Sequence, residues 1–104
     1  MSEVTGYKVV ECCIQNDHPS IEGHFPGNPV VPGVVILDQV ISACYEWDPS
    51  LEISGIDAVK FSAPLRPGKS FAIHLESPKN NYLPFECRLN EQVLARGKLI
   101  LAGN

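Results

Sequence analysis

Hydrophobic and polar positions alternate with a period of two along much of the C-terminal half of the chain. The alternation is clear over residues 70–76 and 85–90, and it predicts half-buried antiparallel strands there. The apolar members are Phe71, Ile73, Leu75, Phe85, Cys87 and Leu89. Residues rich in Val, Ile, Tyr and Cys predict three more strands, over 4–14, 53–63 and 92–101. Hairpin turns are predicted at 79–81 and 90–91, because both segments contain Asn, a residue that favours turns.

Residues 34–47 follow a different pattern, with apolar side chains that form one wide arc of a helical wheel. A run of about 15 residues from Gly33 spans ~22 Å as a helix, and Asp48-Pro49 would end it. So few polar positions predict a helix that is covered on most sides. The predicted order is one strand, one helix and then four strands. This order predicts an α+β domain in which the helix packs against an antiparallel sheet.

The segment between the first predicted strand and the predicted helix has a composition that predicts a stiff loop. Seven of the fifteen residues from 19 to 33 are Gly or Pro, interleaved with Phe25, Val30 and Val31. Because proline fixes φ, this composition predicts a shaped loop of the kind that holds functional groups on a scaffold.

The total of 104 residues supports one domain, residues 1–104. The chain contains no apolar stretch of membrane-spanning length and starts without a secretory signal, which predicts a cytoplasmic protein.

Charge is distributed unevenly along the chain. The net charge of −4 argues against a general nucleic-acid binder. Residues 1–59 carry nine acids and one base, whereas residues 60–104 carry three acids and seven bases. The basic half could face an acidic partner or a phosphate-bearing ligand, or it could simply be a set of solvated strand faces. The four cysteines lack the spacing of a zinc or redox motif, so reduced thiols are expected.

Three positions carry candidate chemistry. His24 lies in the stiff loop, and its imidazole could accept a proton. Asp38 lies within the apolar helix, where it is either a buried acid that can donate a proton or a carboxylate on a solvated edge beside Ser42. Gly33 stands at the expected first turn, where free backbone N–H groups could stabilise a developing oxyanion. The spacing of the histidines predicts no metal site.

The segment GHFPGNPVVPGVVILD, residues 23–38, resembles the signature of the β-hydroxyacyl-acyl carrier protein dehydratases. That signature reads H-F-x-G-x-P-x-x-P-G, followed five residues later by Glu or Asp. A weaker match follows in IDAVKFSAPLRPG, residues 56–68, which is similar to the family segment K-F-x-x-P-x-x-P-G. The short chain looks most like the dehydratase-like subgroup of aryl-polyene pathways.

The resemblance implies a hotdog fold, an antiparallel sheet wrapped around one central helix, and a homodimer or higher oligomer with its active site between subunits. His24 would remove the α-proton of a 3-hydroxyacyl thioester, Asp38 of the other subunit would protonate the departing hydroxyl, and the N–H of Gly33 would polarise the carbonyl. Phe25, Pro32 and Val34 would contact the substrate. The implied partner is an acyl carrier protein with a phosphopantetheine-linked acyl chain, and no further cofactor or metal is expected.

This sequence departs from the family at one notable position. Ser42 stands four residues after the carboxylate, where members often carry Gln. Two other functions remain open at this level. A hotdog thioesterase would use the carboxylate to activate water or attack the acyl carbon. A non-catalytic subunit would bind the acyl carrier without transforming its cargo.

Overall fold

The computed structural model describes residues 6–15 and 30–102. Within these ranges the chain forms five strands and one helix: β1 (Tyr7–Cys13), α1 (Gly33–Trp47), β2 (Ile53–Phe61), β3 (Ser70–Glu76), β4 (Tyr82–Leu89) and β5 (Gln92–Leu101). The strands make one sheet in the order β1-β3-β4-β5-β2, and every neighbouring pair is antiparallel. The predicted α+β architecture is therefore confirmed.

The helix has the bounds that its sequence predicts. Pro32 precedes it with extended backbone angles, and its last residue is Trp47. Asp48 secures the end, since its N–H donates to the carbonyl of Cys44 at 2.9 Å and its carboxylate accepts from the backbone N–H and hydroxyl of Ser50. Pro49 follows directly and cannot continue the ladder of hydrogen bonds.

The core lies between the helix and the inner face of the sheet. Alternate residues of β3 and β4 point inward and are almost fully buried: Phe71, Ile73, Leu75, Leu83, Phe85 and Cys87. They meet the buried helix residues Val35, Ile36, Val40, Ala43 and Cys44. Each large apolar side chain buried in this way stabilises the fold by about 1.5–3 kcal/mol relative to exposure. The period-two pattern thus reports correctly which strand face packs on the helix.

The helix is less covered than its composition predicts. The sheet packs on one side only, and the opposite stripe of α1 is exposed in the single chain: Val34, Asp38, Ser42, Tyr45 and Glu46. Val34 is 65% exposed, a high value for an apolar residue in the middle of the chain. The expectation of a helix covered on most sides is therefore not met along this stripe of the isolated chain.

Both predicted hairpin turns are present. Asn80 and Asn81 have φ values of 53° and 66°, and two hydrogen bonds between Lys79 and Tyr82 close the turn between β3 and β4. Asn90, at φ 56°, turns the chain between β4 and β5. Asn tolerates this left-handed region better than most residues, which explains its use at all three positions.

A bulge bends β2. Asp57 pairs with Lys98 and Lys60 pairs with Arg96, so two β2 residues, Ala58 and Val59, stand opposite Gly97 alone. Ala58 adopts φ 55°, a left-handed value that an alanine rarely takes. A bulge of this kind bends its strand and increases the local twist. The bend separates the first half of β2 from the second half, which ends beside the start of the helix.

Candidate active site

A cavity of about 390 Å³ lies at the start of the helix. Two segments that are far apart in sequence form its walls. One wall is the end of the proline-rich loop with the first turn of α1, and the other is the end of β2 with the residues that follow it. The lining residues are Val30, Val31, Pro32, Gly33, Ile36, Phe61, Ser62, Ala63, Pro64 and Leu65. The structure thus joins the two sequence segments that resemble the dehydratase signature.

Two backbone donors at the helix start are available to this cavity. The carbonyl of Pro32 accepts hydrogen bonds from the N–H groups of Val35 and Ile36, at 3.0 and 3.4 Å. The N–H groups of Gly33 and Val34 find no acceptor among the described residues, and Pro32 offers no side-chain cap. Such free donors carry partial positive charge at the end of a helix. They are suited to an oxygen atom that becomes negatively charged.

Phe61 closes the other side of the helix start. Its ring lies against Gly33, so that a Cβ atom placed on Gly33 would be 2.7 Å from Cζ of the ring. The ring is 46% exposed in the single chain. Glycine is therefore needed here for close approach, and an aromatic face lies directly beside the free N–H groups.

The loop between β2 and β3 is held in place by four backbone hydrogen bonds. The N–H groups of Ser62 and Ala63 donate to the carbonyl of Leu94, at 2.8 and 3.3 Å. The carbonyl of Leu65 accepts from Val31 at 2.8 Å, and Gly68 donates to the carbonyl of Ile14 at 2.7 Å. Leu65 itself is 1% exposed and anchors the loop in the core. These bonds anchor the backbone of the cavity wall to neighbouring segments.

Asp38 lies outside this cavity in the single chain. It follows Val34 by one helical turn, on the exposed stripe of α1, and its side chain is exposed. Of the two interpretations that the sequence left open, the isolated chain shows the solvated edge. Asp38 is not among the residues that line the cavity.

The other predicted site residues divide into two groups. Pro32 and Gly33 line the cavity, whereas the side chain of Val34 belongs to the exposed stripe. His24 and Phe25 lie outside the described residues. Their roles, like that of Asp38, stay predictions.

The sequence pattern by itself assigns no site role to Phe61 or to the residues that follow it. The signal was present, because the segment K-F-x-x-P-x-x-P-G was matched to the family. Only the folded chain shows that this segment and the helix start share one cavity.

Ser42 faces a different space. It lines a smaller cavity of about 170 Å³ between α1 and β1, together with Gln39 and Cys12. The thiol of Cys12 donates to Oε1 of Gln39 at 3.3 Å. Ser42 therefore does not line the cavity at the helix start. The single chain gives no evidence that Ser42 positions a group in that cavity.

All four cysteines are free, as expected. Burial raises the pKa of the Cys44 and Cys87 thiols to about 12, and burial together with the adjacent Cys13 also raises that of Cys12. A raised pKa keeps a thiol protonated at neutral pH, which disfavours it as a nucleophile.

Among residues 6–15 and 30–102, no group of His, Cys, Asp and Glu could hold a metal ion.

Comparison with known proteins first defines the class. The five-stranded antiparallel sheet with a single helix against it is the hotdog fold. The chain belongs to the ApeI-like dehydratase family, whose model, described as ApeI dehydratase, matches residues 2–98. The resemblance to the dehydratases and to their aryl-polyene-type subgroup is thereby confirmed.

Individual relatives agree with this placement. The chain is 32% identical over 100 residues to a 3-hydroxyacyl-[acyl-carrier-protein] dehydratase FabZ of Ehrlichia canis, covering 83% of this chain and 68% of that one. It superposes with a TM-score of 0.82 and 26% identity on a chain of the dehydratase heterocomplex ApeI:P from Xenorhabdus doucetiae, covering 99% and 93% of the two chains. The chain spans between 45% and 73% of the length of the curated relatives it matches.

A thioesterase also shares the architecture. The fluoroacetyl-CoA-specific thioesterase FlK superposes with a TM-score of 0.71, covering 98% of this chain and 88% of that one. The identity of 15% shows a common fold and no more.

Among the described residues there is no helix of the length and hydropathy needed to cross a bilayer.

Proposed function

We propose that this chain dehydrates 3-hydroxyacyl thioesters, carried on the phosphopantetheine arm of an acyl carrier protein, to trans-2-enoyl thioesters. The observation that carries the proposal is the cavity where the helix start meets the segment from Phe61 to Leu65. It combines free backbone donors with an apolar wall, as a thioester carbonyl attached to an acyl chain requires.

In the proposed reaction, the thioester carbonyl oxygen accepts hydrogen bonds from the N–H groups of Gly33 and Val34. These bonds strengthen as negative charge develops on the oxygen, and one such donor is typically worth about 10²–10³ in rate. His24 removes the α-proton, and the electron pair of that C–H bond forms the new C=C bond. The C–O bond of the 3-hydroxyl breaks, and Asp38 gives the departing oxygen a proton so that water leaves.

The proposal places a second copy of the chain over the exposed stripe of α1. β2 is an edge strand that touches α1 near both ends, because the N–H of Ile53 donates to the hydroxyl of Tyr45 near the helix end while Phe61 covers Gly33 at its start. Ile56 and Phe61 of β2 are 41% and 46% exposed, and Val34 of α1 is 65% exposed. A partner on this surface would bury these apolar groups and remove Asp38 from solvent.

The homodimer is tested by mass in solution with a matched pair of variants. Ile56→Glu places a charge on the exposed part of β2, and we expect it to yield monomers. Val9→Glu changes an equally exposed residue, 44%, on the opposite edge strand, and should leave the dimer intact. A wild-type monomer would refute the homodimer. A complex that forms only with a different, co-expressed chain would place that chain on the surface instead.

Activity is tested with purified protein and matched 3-hydroxyacyl and acyl thioesters. We expect enoyl absorbance to rise with the 3-hydroxyacyl substrate and no thiol to be released. Free thiol without enoyl product would favour the thioesterase, for which the shared fold is the only structural support. Neither product would favour a subunit that binds the carrier without catalysis.

A further inference from the structure

The side chains of β2 change faces at its bulge. On the neighbouring strand β5, Lys98 is exposed on the outer face of the sheet, whereas Ala95 is buried on the helix side. Their partners on β2 are Asp57 and Phe61, so these two residues point to opposite faces. They are four positions apart, and a regular strand would place both on one face. The bulge therefore determines that Phe61 lies on the helix side.

Ala58 makes this reversal possible. Ala58 and Val59 together stand opposite Gly97, and Ala58 takes up the additional residue with a φ of 55°. This left-handed conformation is unfavourable for alanine, whereas glycine adopts it readily. Val59 then packs so closely on Gly97 that a Cβ atom there would lie 2.9 Å from Cα of Val59. A strained residue held by its neighbours in this way is typical of bulges that re-aim a side chain beside a functional site.

The side chain that is re-aimed is the aromatic wall of the candidate active site. Phe61 lines the cavity of about 390 Å³ and lies against Gly33, beside the free N–H groups of the helix start. If β2 alternated regularly from Asp57 onward, Lys60 would take the helix side and Phe61 would point to the outer face. The composition of the cavity wall thus depends on the backbone conformation at Ala58.

We infer that Ala58 is a positioning residue of the dehydration site, whose left-handed bulge holds the Phe61 ring against the helix start; this inference rests on the proposed function. Ala58 is exposed and does not line the cavity at the helix start, so it acts on the site only through Phe61. Substitutions that disfavour a positive φ at position 58 should therefore displace the ring, and substitutions that favour it should leave the ring in place.

The position of the ring can be measured without turnover. We expect the nuclear Overhauser effect between the Phe61 ring protons and Hα of Gly33 to persist in Ala58→Gly and to weaken in Ala58→Val, because valine is branched at Cβ and disfavours a positive φ. Ala72→Val is the matched control, since it makes the same change at a partly exposed position of β3. An unchanged signal in Ala58→Val, or an equal loss in Ala72→Val, would overturn the inference. If Ala58→Val does not fold, Ala58→Leu takes its place, with a smaller loss expected.

Turnover shows whether Ala58 acts through the ring. We expect Ala58→Val to lower kcat/KM for a 3-hydroxyacyl thioester about tenfold, because a displaced wall misaligns the substrate, and Ala58→Gly to retain the wild-type value. In a Phe61→Leu background, Ala58→Val should cause no further loss. A tenfold loss in both backgrounds would show that Ala58 supports the fold in general, and it would refute the positioning role.

Failure of this inference and failure of the proposed function give different results. If the wild type dehydrates its substrate and Ala58→Val retains full kcat/KM, the positioning role fails and dehydration stands. If the wild type shows no dehydration, but the contact between Phe61 and Gly33 weakens in Ala58→Val and persists in Ala58→Gly, the proposed function fails and the bulge still positions the ring.

Discussion

The ring of Phe61 lies against Gly33 so closely that no side chain fits between them. A Cβ atom on Gly33 would meet Cζ at 2.7 Å and both Cε atoms at 3.0 Å. Gly33 opens the helix and Phe61 closes β2, so this contact joins the two segments that resemble the dehydratase signature. It also fixes how far the cavity opens in front of the free N–H groups.

Gly33→Ala tests this contact. The methyl group forces the Phe61 ring outward, and because the ring is half-exposed it can move without disturbing the core. We therefore expect a change of less than about 1 kcal/mol in the free energy of unfolding, since alanine also favours the helix. The value of kcat/KM should fall about 10- to 100-fold, because the displaced ring misplaces the substrate.

A second variant shows whether the ring is responsible. Gly33→Ala/Phe61→Leu removes the atoms that the methyl group meets, and it should recover part of the lost activity. Steady-state assays and urea denaturation give the two readouts. Unchanged kcat/KM in Gly33→Ala would show that the contact does not shape the site.

Two buried thiols predict how stability responds to alkaline pH. Burial raises the pKa of Cys44 and Cys87 from 9.0 to about 12, so the folded chain keeps protons that the unfolded chain loses. The stabilisation from these thiols is fully present below pH 9.0 and is lost as the pH rises toward 12. The urea midpoint should therefore fall more steeply above pH 9.0 in the wild type than in Cys44→Ala/Cys87→Val. Parallel slopes would assign the alkaline loss to other groups.

The sequence predicts the elements of this fold well because each carries a strong local signal. The helix is bounded by Pro32-Gly33 and Asp48-Pro49, and its predicted limits agree with the structure. The strand faces follow from alternation alone, since Phe71, Ile73 and Leu75 must share a side. Even the turns are local, because asparagine tolerates positive φ.

Features that depend on distant residues could not be predicted in this way. The β2 bulge lies where Val59 packs on Gly97, a partner 38 positions away that no local pattern reveals. Phe61 gains its role only by meeting Gly33 in the folded chain. The environment of Asp38 depends on what covers the exposed stripe of α1, which a single sequence does not specify.

Gly97→Ala should destabilise the fold through the bulge. A Cβ atom there would lie 2.9 Å from Cα and from Cγ2 of Val59 and 3.3 Å from the Phe85 ring. The backbone of β2 must shift to accommodate it, and overpacking of this kind costs about 1–3 kcal/mol. Urea denaturation of the purified variant measures the loss.

Gly55→Ala serves as the control for a glycine in the same pair of strands. Its Cβ atom would approach only the side chain of Ile100, at 3.4 Å from Cδ1 and 3.9 Å from Cβ, contacts in or near the ordinary van der Waals range. We expect a change of no more than about 0.5 kcal/mol, typical of a position without such a clash. Equal losses in the two variants would mean that the bulge does not require glycine at position 97.

Substitution of the proposed acid–base pair tests the chemistry directly. We expect His24→Ala to abolish dehydration and leave the oligomeric state unchanged, because no other proposed group removes the α-proton. Asp38→Asn keeps the shape of the side chain but cannot supply the proton, and a loss of at least about 10²-fold in kcat is expected. Glu46→Gln changes another exposed carboxylate of α1, two turns further along, and should retain wild-type activity. Substantial turnover by His24→Ala would show that His24 does not remove the α-proton. Equal losses in Asp38→Asn and Glu46→Gln would show that activity depends on the negative charge of the helix and not on a specific acid at position 38.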